Sequence, residues 1–416
     1  MLLMFSSIKK KVINCIYQIC KSGYFLWRDI IYFFVRIIAC FFPLEDKVCA
    51  SCFSGTKYGD NTKCIIEKVH DINPHLKICW LMDYSVDYEL PGYVRGSRCF
   101  SDWRFLRRFW EYSTSKVIID THLLDSCFKK RKGQMFIETW HGGLGIKKIE
   151  NDVDKYVKVR SHERKIANTV EQADVFISNS EHLTNIYKRA FGRTDNIWKT
   201  GYPKNDILVN ITRSEVEWIR KKIRDYYHID QNAIIITYAP TFRDAARTDG
   251  IFSMDPYMTD LTVLNAFNNY FHSENCHLIF KLHPFISGFS KQFSFDSANI
   301  HNGTDYPDMQ ELIVGSDALI SDYSSCIFDA ALFSLPCFIY AKDFEEYRKD
   351  RGTYFELSEL PFPYAENIAD LKSIIEKYDD SYYRHQWELF SEKVGLFEKG
   401  NASQVIAEYI CAFCEK

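Results

Sequence analysis

Apolar, strand-like runs alternate with helical stretches along most of this 416-residue chain, in two successive series. The first series includes KVCASCF at 47–53, KICWLM at 77–82 and KVIID at 116–120, and the second begins with AIIITYA at 233–239. Such alternation is typical of a mainly parallel sheet, because parallel strands need a crossover, usually a helix, between them. This length exceeds what one hydrophobic core usually organises, so we expect two domains of about 200 residues each.

Polar clusters follow the strands in both series, and a charged helical segment over 210–231 separates the two. Open parallel sheets bind ligands at the carboxyl ends of their strands. Two such domains that face each other bring their polar clusters together across one cleft. The sequence therefore predicts an α/β protein whose functional site is shared between the domains.

The segment SDALISDYSSCIFDAALF, residues 316–333, predicts a strand, a polar turn and a helix that begins near Cys326. The start of a helix has unpaired backbone N–H groups and the positive end of the helix dipole. Ser324 and Ser325 add two hydroxyl groups at that point, a combination that suits a phosphate group. The simpler alternative is that one of these serines only caps the helix.

His141 lies in a cluster of polar and glycine residues, Trp140 to Gly143, that follows the strand QMFIET. Glycine lets a backbone approach a ligand closely, and a histidine at neutral pH can take the proton of a hydroxyl. The alternative is a histidine that only bonds a backbone carbonyl in a turn.

Two more strands of the second series end in basic residues. Lys281 lies near the end of the strand HLIFKL and His283 directly after it, and strand alternation places them on one face with Leu282 on the other. Such a pair can neutralise a diphosphate. Thr241 and Arg243 follow AIIITYA, and arginine is suited to bidentate phosphate contact. The alternatives are a solvated strand end and a surface Arg–Asp pair.

The N-terminal arm differs in charge from the rest of the chain. Residues 1–42 hold six basic residues and one acidic residue, a net charge of +5, whereas the whole chain carries −3. The apolar stretch 25–42 contains three charged residues, so it lacks the uncharged run of about 20 residues that a spanning helix needs. We expect one or two amphipathic helices over 4–42, lying on an anionic membrane surface. The alternative is a helix packed on the protein's own core.

Composition and missing motifs exclude several classes of protein. The net charge of −3 gives no basic field for nucleic acid. The sequence patterns of P-loop NTPases, dinucleotide oxidoreductases and zincin proteases are absent. The sequence also lacks a carboxylate cluster typical of a Mg²⁺ site, so we expect no obligatory cofactor or bound metal.

The 14 cysteines lie mostly in apolar runs, as in a reduced cytosolic protein. Two C-x-x-C pairs leave a zinc site as an alternative, namely Cys49 with Cys52 and Cys411 with Cys414. Against zinc, a three-residue offset within a strand points the first two thiols to opposite faces. In the C-terminal helix the same three-residue spacing places Cys411 and Cys414 on one face, which we expect to pack against the protein.

Taken in order, seven segments resemble those of the CDP-glycerol glycerophosphotransferase family, the teichoic acid polymerases and primases, over roughly residues 45–400. The segments are ETWHGGLGIKK, SNSEHLTNIYKRAFG, KTGYPKNDIL, TYAPTFRD, LIFKLHP, SDALISDYSSCIFDAALFSLPCFIY and EYRKDRGTYFE. The N-terminal arm also resembles the family's membrane-attachment segment. Gly143 and Leu144 stand where many members have Thr and Pro, and Ser321 replaces a common Thr.

The resemblance implies a GT-B-like fold, in which two Rossmann-like, doubly wound domains face a cleft. We therefore expect membrane-associating helices over 1–44, an acceptor domain over 45–208, a CDP-donor domain over 209–400 and a C-terminal helix over 401–416. The implied enzyme is a CDP-alditol phosphotransferase, a peripheral protein at the cytoplasmic face of the membrane. It would transfer glycerol phosphate or ribitol phosphate to a hydroxyl of a lipid-linked glycan or polymer, for teichoic acid or capsule-type polymers.

The resemblance makes His141 the proposed base and places His283 by the donor diphosphate. The predicted donor-phosphate residues are Thr241, Arg243, Lys281, Asp322, Ser324 and Ser325, and the predicted acceptor-side residues are Trp140, Gly142 and Gly143. Two alternatives remain open. One is a GT-B glycosyltransferase that uses a nucleotide-sugar donor in envelope polysaccharide synthesis, and the other is a catalytically silent, membrane-bound scaffold.

Overall fold

The computed structural model describes residues 23, 26–99, 105–153, 160–193, 195–241, 243, 247–248, 251–252, 275–282 and 299–416. Within these residues the chain forms two parallel sheets and one two-stranded ribbon. Two predictions fall outside the described residues: the site residue His283 and the part of the N-terminal helices before residue 23.

The described part of the first sheet has seven strands, all parallel, in the order β3-β2-β1-β4-β5-β6-β7. The strands are β1 (Glu45–Ala50), β2 (Lys77–Met82), β3 (Val94–Arg98), β4 (Ser115–Asp120), β5 (Met135–Glu138), β6 (Val175–Ile177) and β7 (Ile197–Trp198). Its helices are Asp60–Ile72, Phe105–Thr114, Arg160–Gln172 and Glu181–Ala190. The strand order reverses between β1 and β4, and such a point leaves a crevice at the carboxyl edge of the sheet.

The described part of the second sheet has six parallel strands in the order β12-β11-β8-β13-β14-β15, with a reversal between β8 and β13. The strands are β8 (Ile234–Ala239), β11 (Cys276–Phe280), β12 (Ile300–Asn302), β13 (Ala318–Ser321), β14 (Cys337–Tyr340) and β15 (Tyr364–Ala365), and the ribbon pairs β9 (Arg247–Thr248) with β10 (Ile251–Phe252). The helices are Asp206–Asn210, Arg213–Tyr227, Met309–Gly315, Cys326–Leu332, Phe344–Asp350, Ile368–Glu376 and Asp380–Val394.

The central strands are apolar on both faces. Val117, Ile118 and Ile119 of β4 have no exposed surface, and neither does Ile235 of β8. A parallel sheet covered by helices on both sides selects such runs rather than a polar–apolar alternation. The two sheets are therefore buried layers from which the loops at the carboxyl edge project.

The last helix, Ala402–Cys414, returns to the first domain. One apolar face of this helix, with Ile406 and Ile410, is buried in the core of the first sheet. Asp206, at the other crossing between the domains, accepts hydrogen bonds from the backbone N–H groups of Ala402 and Ser403, at 2.9 Å and 2.8 Å. The chain thus passes between the domains twice, and the two crossings contact each other.

Residues 26–40 form a helix that packs on the first domain. Tyr32 is buried, with its ring centroid 4.3 Å from that of Phe109, and Arg28 pairs with Asp125 at 3.1 Å. The opposite face is apolar and exposed. It consists of Leu26, Ile30, Phe33, Phe34, Ile37 and Ile38, and Phe41 and Phe42 extend it beyond the helix. No helix of the described residues is long and apolar enough to cross a membrane.

Candidate active site

A cleft of about 1490 Å³ lies between the carboxyl edges of the two sheets. Residues from the first domain that line it include Phe53, Lys57, His122, Trp140, His141, Gly142 and Gly143. Residues from the second domain include Lys281, Ser324, Ser325, Tyr347 and Arg351. The predicted cleft between two domains is therefore present, and most of the predicted site residues that the structure describes line it.

The hydrogen bond of His141 fixes its tautomer. Its Nδ1 lies 3.1 Å from the backbone oxygen of Thr121, the residue that follows β4. A carbonyl oxygen can only accept, so Nδ1 carries the proton and Nε2 carries the lone pair. The bond to a backbone carbonyl that the alternative requires is thus present, and it leaves Nε2 with its lone pair, while the role of His141 as a base stays a prediction.

The surroundings of His141 keep its ring neutral. Burial, together with the positive charges of Lys147, Lys204 and Lys57, lowers the pKa of His141 to about 3. Its ring stacks on that of His122, with 4.6 Å between centroids and 8° between planes. Burial also holds the pKa of His122 well below its usual value. His122 carries no motif, and sequence reasoning missed it.

The backbone turn at residues 140–143 is strained and tightly enclosed. Trp140 has a φ of +53°, a left-handed conformation that is unusual for a bulky residue. A Cβ atom on Gly142 would lie 3.4 Å from Oγ of Ser325, and one on Gly143 would lie 2.8 Å from Nδ2 of Asn179. Glycine at position 142 thus brings the turn of the first domain directly against the serine turn of the second.

The serine turn has the predicted form. The helix begins at Cys326, and the backbone N–H of Cys326 lies 3.5 Å from Oγ of Ser324, at the limit of a hydrogen bond. Within the described residues, the side chain of Ser325 makes no capping hydrogen bond to the helix. Both serines line the cleft. Their hydroxyl groups are therefore placed to meet a ligand there.

Arg243 lies behind the serine turn. Its guanidinium donates to Asp343 and Thr241 and pairs with Asp322 at 2.8 Å, and it is stacked near the rings of Tyr323 and Tyr347. Asp322 also accepts from the N–H groups of Thr241 and Tyr323, at 2.7 Å and 2.6 Å. Thr241, Arg243 and Asp322 are not among the residues that line the cleft. Their direct contact with a donor phosphate stays a prediction, and in this geometry they support the serine turn.

Lys281 lines the cleft from the end of β11. Its ammonium donates to the backbone oxygens of Thr304, at 3.2 Å, and Tyr306. Burial, with a further contribution from the charge of Lys57, lowers the pKa of Lys281 to about 7. Leu282 is buried, as the predicted alternation requires.

A buried polar network joins the two walls beside His141. Lys204 Nζ lies 2.8 Å from Asp329 Oδ2 and 3.4 Å from the backbone oxygen of His141. Asn205 donates to Asp329, at 3.1 Å, and to Glu398, at 2.9 Å. Burial raises the pKa of Glu398 to about 7. In the sequence this region stands out only as the segment KTGYPKNDIL, which gives no signal that it bridges the domains.

A second set of contacts joins the two domains beside the cleft. Thr353 pairs with Lys147 in an antiparallel bridge, and the N–H of Tyr354 donates to the oxygen of Ile146 at 2.7 Å. The phenol of Tyr354 donates to Asp152 at 2.8 Å. The loop at 351–355, part of the segment EYRKDRGTYFE, therefore links the second domain to the first.

The described cysteines are free thiols, and Cys49, Cys52, Cys411 and Cys414 are buried. Within the described part of the chain, no group of three or more His, Cys, Asp or Glu side chains is arranged to hold a metal ion.

Comparisons with known proteins agree with this fold. A family model described as CDP-Glycerol:Poly(glycerophosphate) glycerophosphotransferase matches residues 33–412. The teichoic acid poly(glycerol phosphate) polymerase of Bacillus spizizenii is 27% identical over 392 residues, covering 90% of this chain and 94% of that protein. A polymerase of the same name from Staphylococcus epidermidis is 26% identical over 86% of this chain, which spans about half (49%) of its length. The solved structure of the wall teichoic acid polymerase TagF matches with a TM-score of 0.73 and 25% identity, over 89% of each chain.

Replacing Lys204 by Met tests the buried network. The substitution leaves the carboxylate of Asp329 buried without its cation, so we expect the free energy of unfolding to fall by about 3–5 kcal/mol. Chemical denaturation of Lys204→Met and of the double variant Lys204→Met/Asp329→Leu measures this. The double variant should regain most of the loss, and equal losses in both variants would contradict the assignment.

Proposed function

Because the chain belongs to the family of CDP-glycerol:poly(glycerophosphate) glycerophosphotransferases, we propose that it transfers glycerol phosphate or ribitol phosphate from a CDP-linked donor and releases CMP. The acceptor in this proposal is a hydroxyl of a lipid-linked glycan or polymer, in teichoic acid or capsule-type polymer synthesis. One observation carries the proposal. A neutral imidazole with a bare Nε2 and a pair of serine hydroxyls face one cleft from opposite domains, and Gly142 brings their turns into contact.

In the proposed reaction, the donor diphosphate lies against Ser324 and Ser325, and the acceptor hydroxyl lies against Nε2 of His141. The acceptor oxygen forms a bond to the distal phosphorus while the bond from that phosphorus to the bridging oxygen breaks. CMP leaves with that electron pair, and the hydroxyl proton passes to Nε2. Positioning and charge stabilisation supply most of the rate gain in such a step.

The charge of the donor makes His141 a stronger base. Burial and three lysines hold the pKa of His141 at about 3. A bound diphosphate brings negative charge next to the ring, which favours imidazolium and raises the pKa. The base therefore reaches useful strength when donor is bound, and an acceptor alone is not deprotonated.

The proposed location is the cytoplasmic face of the cell membrane, with peripheral attachment. Two observations support attachment to the membrane. The exposed apolar face of helix 26–40 continues into Phe41, which is 83% exposed, and the N-terminal arm is basic. Apolar surface of this kind binds the interface between headgroups and acyl chains, and basic residues add attraction to anionic lipid. The free, mostly buried thiols fit a reducing compartment.

A donor panel tests the reaction class. Purified protein is incubated with a lipid-linked acceptor and with CDP-glycerol, CDP-ribitol, UDP-glucose or GDP-mannose. We expect acceptor-dependent release of CMP from a CDP-alditol, measured by chromatography, together with a mass increase of one or more alditol phosphates in the acceptor. Release of UDP or GDP without CMP would instead identify a nucleotide-sugar glycosyltransferase.

Replacing His141 by Ala tests the base. We expect the rate of CMP release to fall by about 10²–10⁴-fold, the usual contribution of a positioned base, while calorimetric binding of the CDP-linked donor persists. His385→Ala, at an exposed histidine of the helix Asp380–Val394, is the matched control and should keep full activity. Wild-type turnover by His141→Ala would refute the assignment.

Charged substitutions on the exposed helix face test membrane attachment. We expect Phe33→Glu/Phe41→Glu to release the protein from vesicles of phosphatidylglycerol and phosphatidylcholine, because it places carboxylates where apolar rings meet lipid. Sedimentation with the vesicles measures this. Trp218→Glu, at an apolar side chain that is 61% exposed on the second domain, is the control. Equal sedimentation of all three proteins would rule out this attachment surface.

A further inference from the structure

The loop after β1 lies beside the loop after β4, at the point where the strand order of the first sheet reverses. Three successive residues of this loop have left-handed backbones: Phe53 at φ +45°, Ser54 at +56° and Gly55 at +78°. Such strain persists only where the surrounding structure imposes it. A Cβ atom on Gly55 would lie 2.5 Å from the backbone nitrogen of Asp83, so that contact restricts the position to glycine.

The loop after β1 is linked to His141, the proposed base, through hydrogen bonds to one shared residue. The N–H of Phe53 donates to Oγ1 of Thr121 at 3.1 Å, and the backbone oxygen of Thr121 accepts the proton of His141 Nδ1 at 3.1 Å. The Phe53 and His141 ring centroids are 5.2 Å apart. Thr121 is fully buried. The position of the loop and the orientation of the imidazole therefore depend on one residue.

Lys57 extends from this loop into the cleft. Its Nζ lies 4.7 Å from the centroid of the Phe53 ring, a cation–π contact. Among the described residues, its ammonium has no carboxylate partner and no hydrogen-bond acceptor. Other lysines of the cleft differ in this respect, since Lys63 pairs with Asp308 at 3.2 Å and Lys204 with Asp329 at 2.8 Å.

The charge of Lys57 acts on groups of both walls. It contributes to the lowered pKa values of His141 and His122 in the first domain and of Lys281 in the second. The geometry agrees with this, because Lys57 lines the cleft and contacts the Phe53 ring, whose centroid lies 5.2 Å from that of His141. In the proposed reaction the transferred phosphoryl group lies next to His141, in the same cleft.

We propose that Lys57 is a further catalytic residue, which binds the non-bridging oxygens of the phosphoryl group during its transfer. The proposal rests on the proposed function. The cation–π contact with Phe53 holds the ammonium in place without neutralising it, so its full charge remains for the phosphate. As the bond to the acceptor oxygen forms and the bond to the CMP oxygen breaks, charge on the equatorial oxygens meets a fixed cation.

Lys57→Met removes the charge and keeps most of the apolar chain. We expect kcat for CMP release from the active CDP-alditol to fall by about 10²–10³-fold, as for loss of one fixed donor in other active sites. The Kd for CMP, which lacks the distal phosphate, should not change. Lys57→Arg should recover part of the activity. Lys222→Met is the matched control, because Lys222 is ion-paired with Glu311 at 2.7 Å, and it should behave as wild type.

The pH profile separates a catalytic charge from a structural one. Without the positive charge of Lys57 the pKa of His141 rises, so the acid limb of kcat/KM should move to higher pH in Lys57→Met but not in Lys222→Met. Unchanged kcat in Lys57→Met, or an equal loss of CMP binding, would overturn the assignment while leaving the proposed function intact. Wild-type protein that releases no CMP from any CDP-alditol would overturn both.

Discussion

The site depends on the close approach of two backbone turns that belong to different sheets. A Cβ atom at position 142 would lie 3.4 Å from Oγ of Ser325, so the two turns lie within about one side chain of each other. Polar groups at such a junction lose their water and must be paired within the protein. Lys204 and Asp329 supply that pairing across the domains, and Glu398 accepts from Asn179 and Asn205 beside them. The separation between imidazole and serines is thus set by buried contacts rather than by flexible surface loops.

Electrostatics in the cleft follow from the same enclosure. Lys57, Lys147 and Lys204 lie close enough to His141 for their positive charges to act on it in a poorly solvated space. Together with burial, which is the largest cause, they hold the pKa of His141 low, and burial lowers the pKa of Lys281 as well. Negative charge brought next to the imidazole would act in the opposite direction and raise its pKa. The protonation of His141 therefore depends on the charges around it.

The sequence predicted the elements that carry strong periodicity and the turns that carry motifs. The strand Lys77–Met82 has its predicted bounds, and the segment 316–333 forms the predicted strand, turn and helix, with the helix beginning at Cys326. The short strands β7, β12 and β15 have only two or three residues, which is too few to show the hydrophobic pattern of a strand in the sequence. The parallel sheets and the shared cleft followed from the order of elements.

Side-chain partners far apart in sequence were beyond such reasoning. The side chain of Arg243 meets Asp343, 100 residues later, and Lys204 meets Asp329, 125 residues later. No local pattern encodes these pairs, because they arise only when the two sheets come together. His122 and Lys57 have no motif for the same reason, and their significance comes from what the fold places next to them.

The return of the last helix to the first domain constrains how the cleft can change width. The two covalent crossings, near Asp206 and near Ala402, contact each other along one side of the molecule, where Asn210 also donates to the oxygen of Gly400 at 2.7 Å. Besides these covalent crossings, the domains are joined by the bridge between Lys147 and Thr353 and by the ion pair between Lys204 and Asp329. Opening the cleft therefore requires these noncovalent contacts to break while the two crossings stay intact.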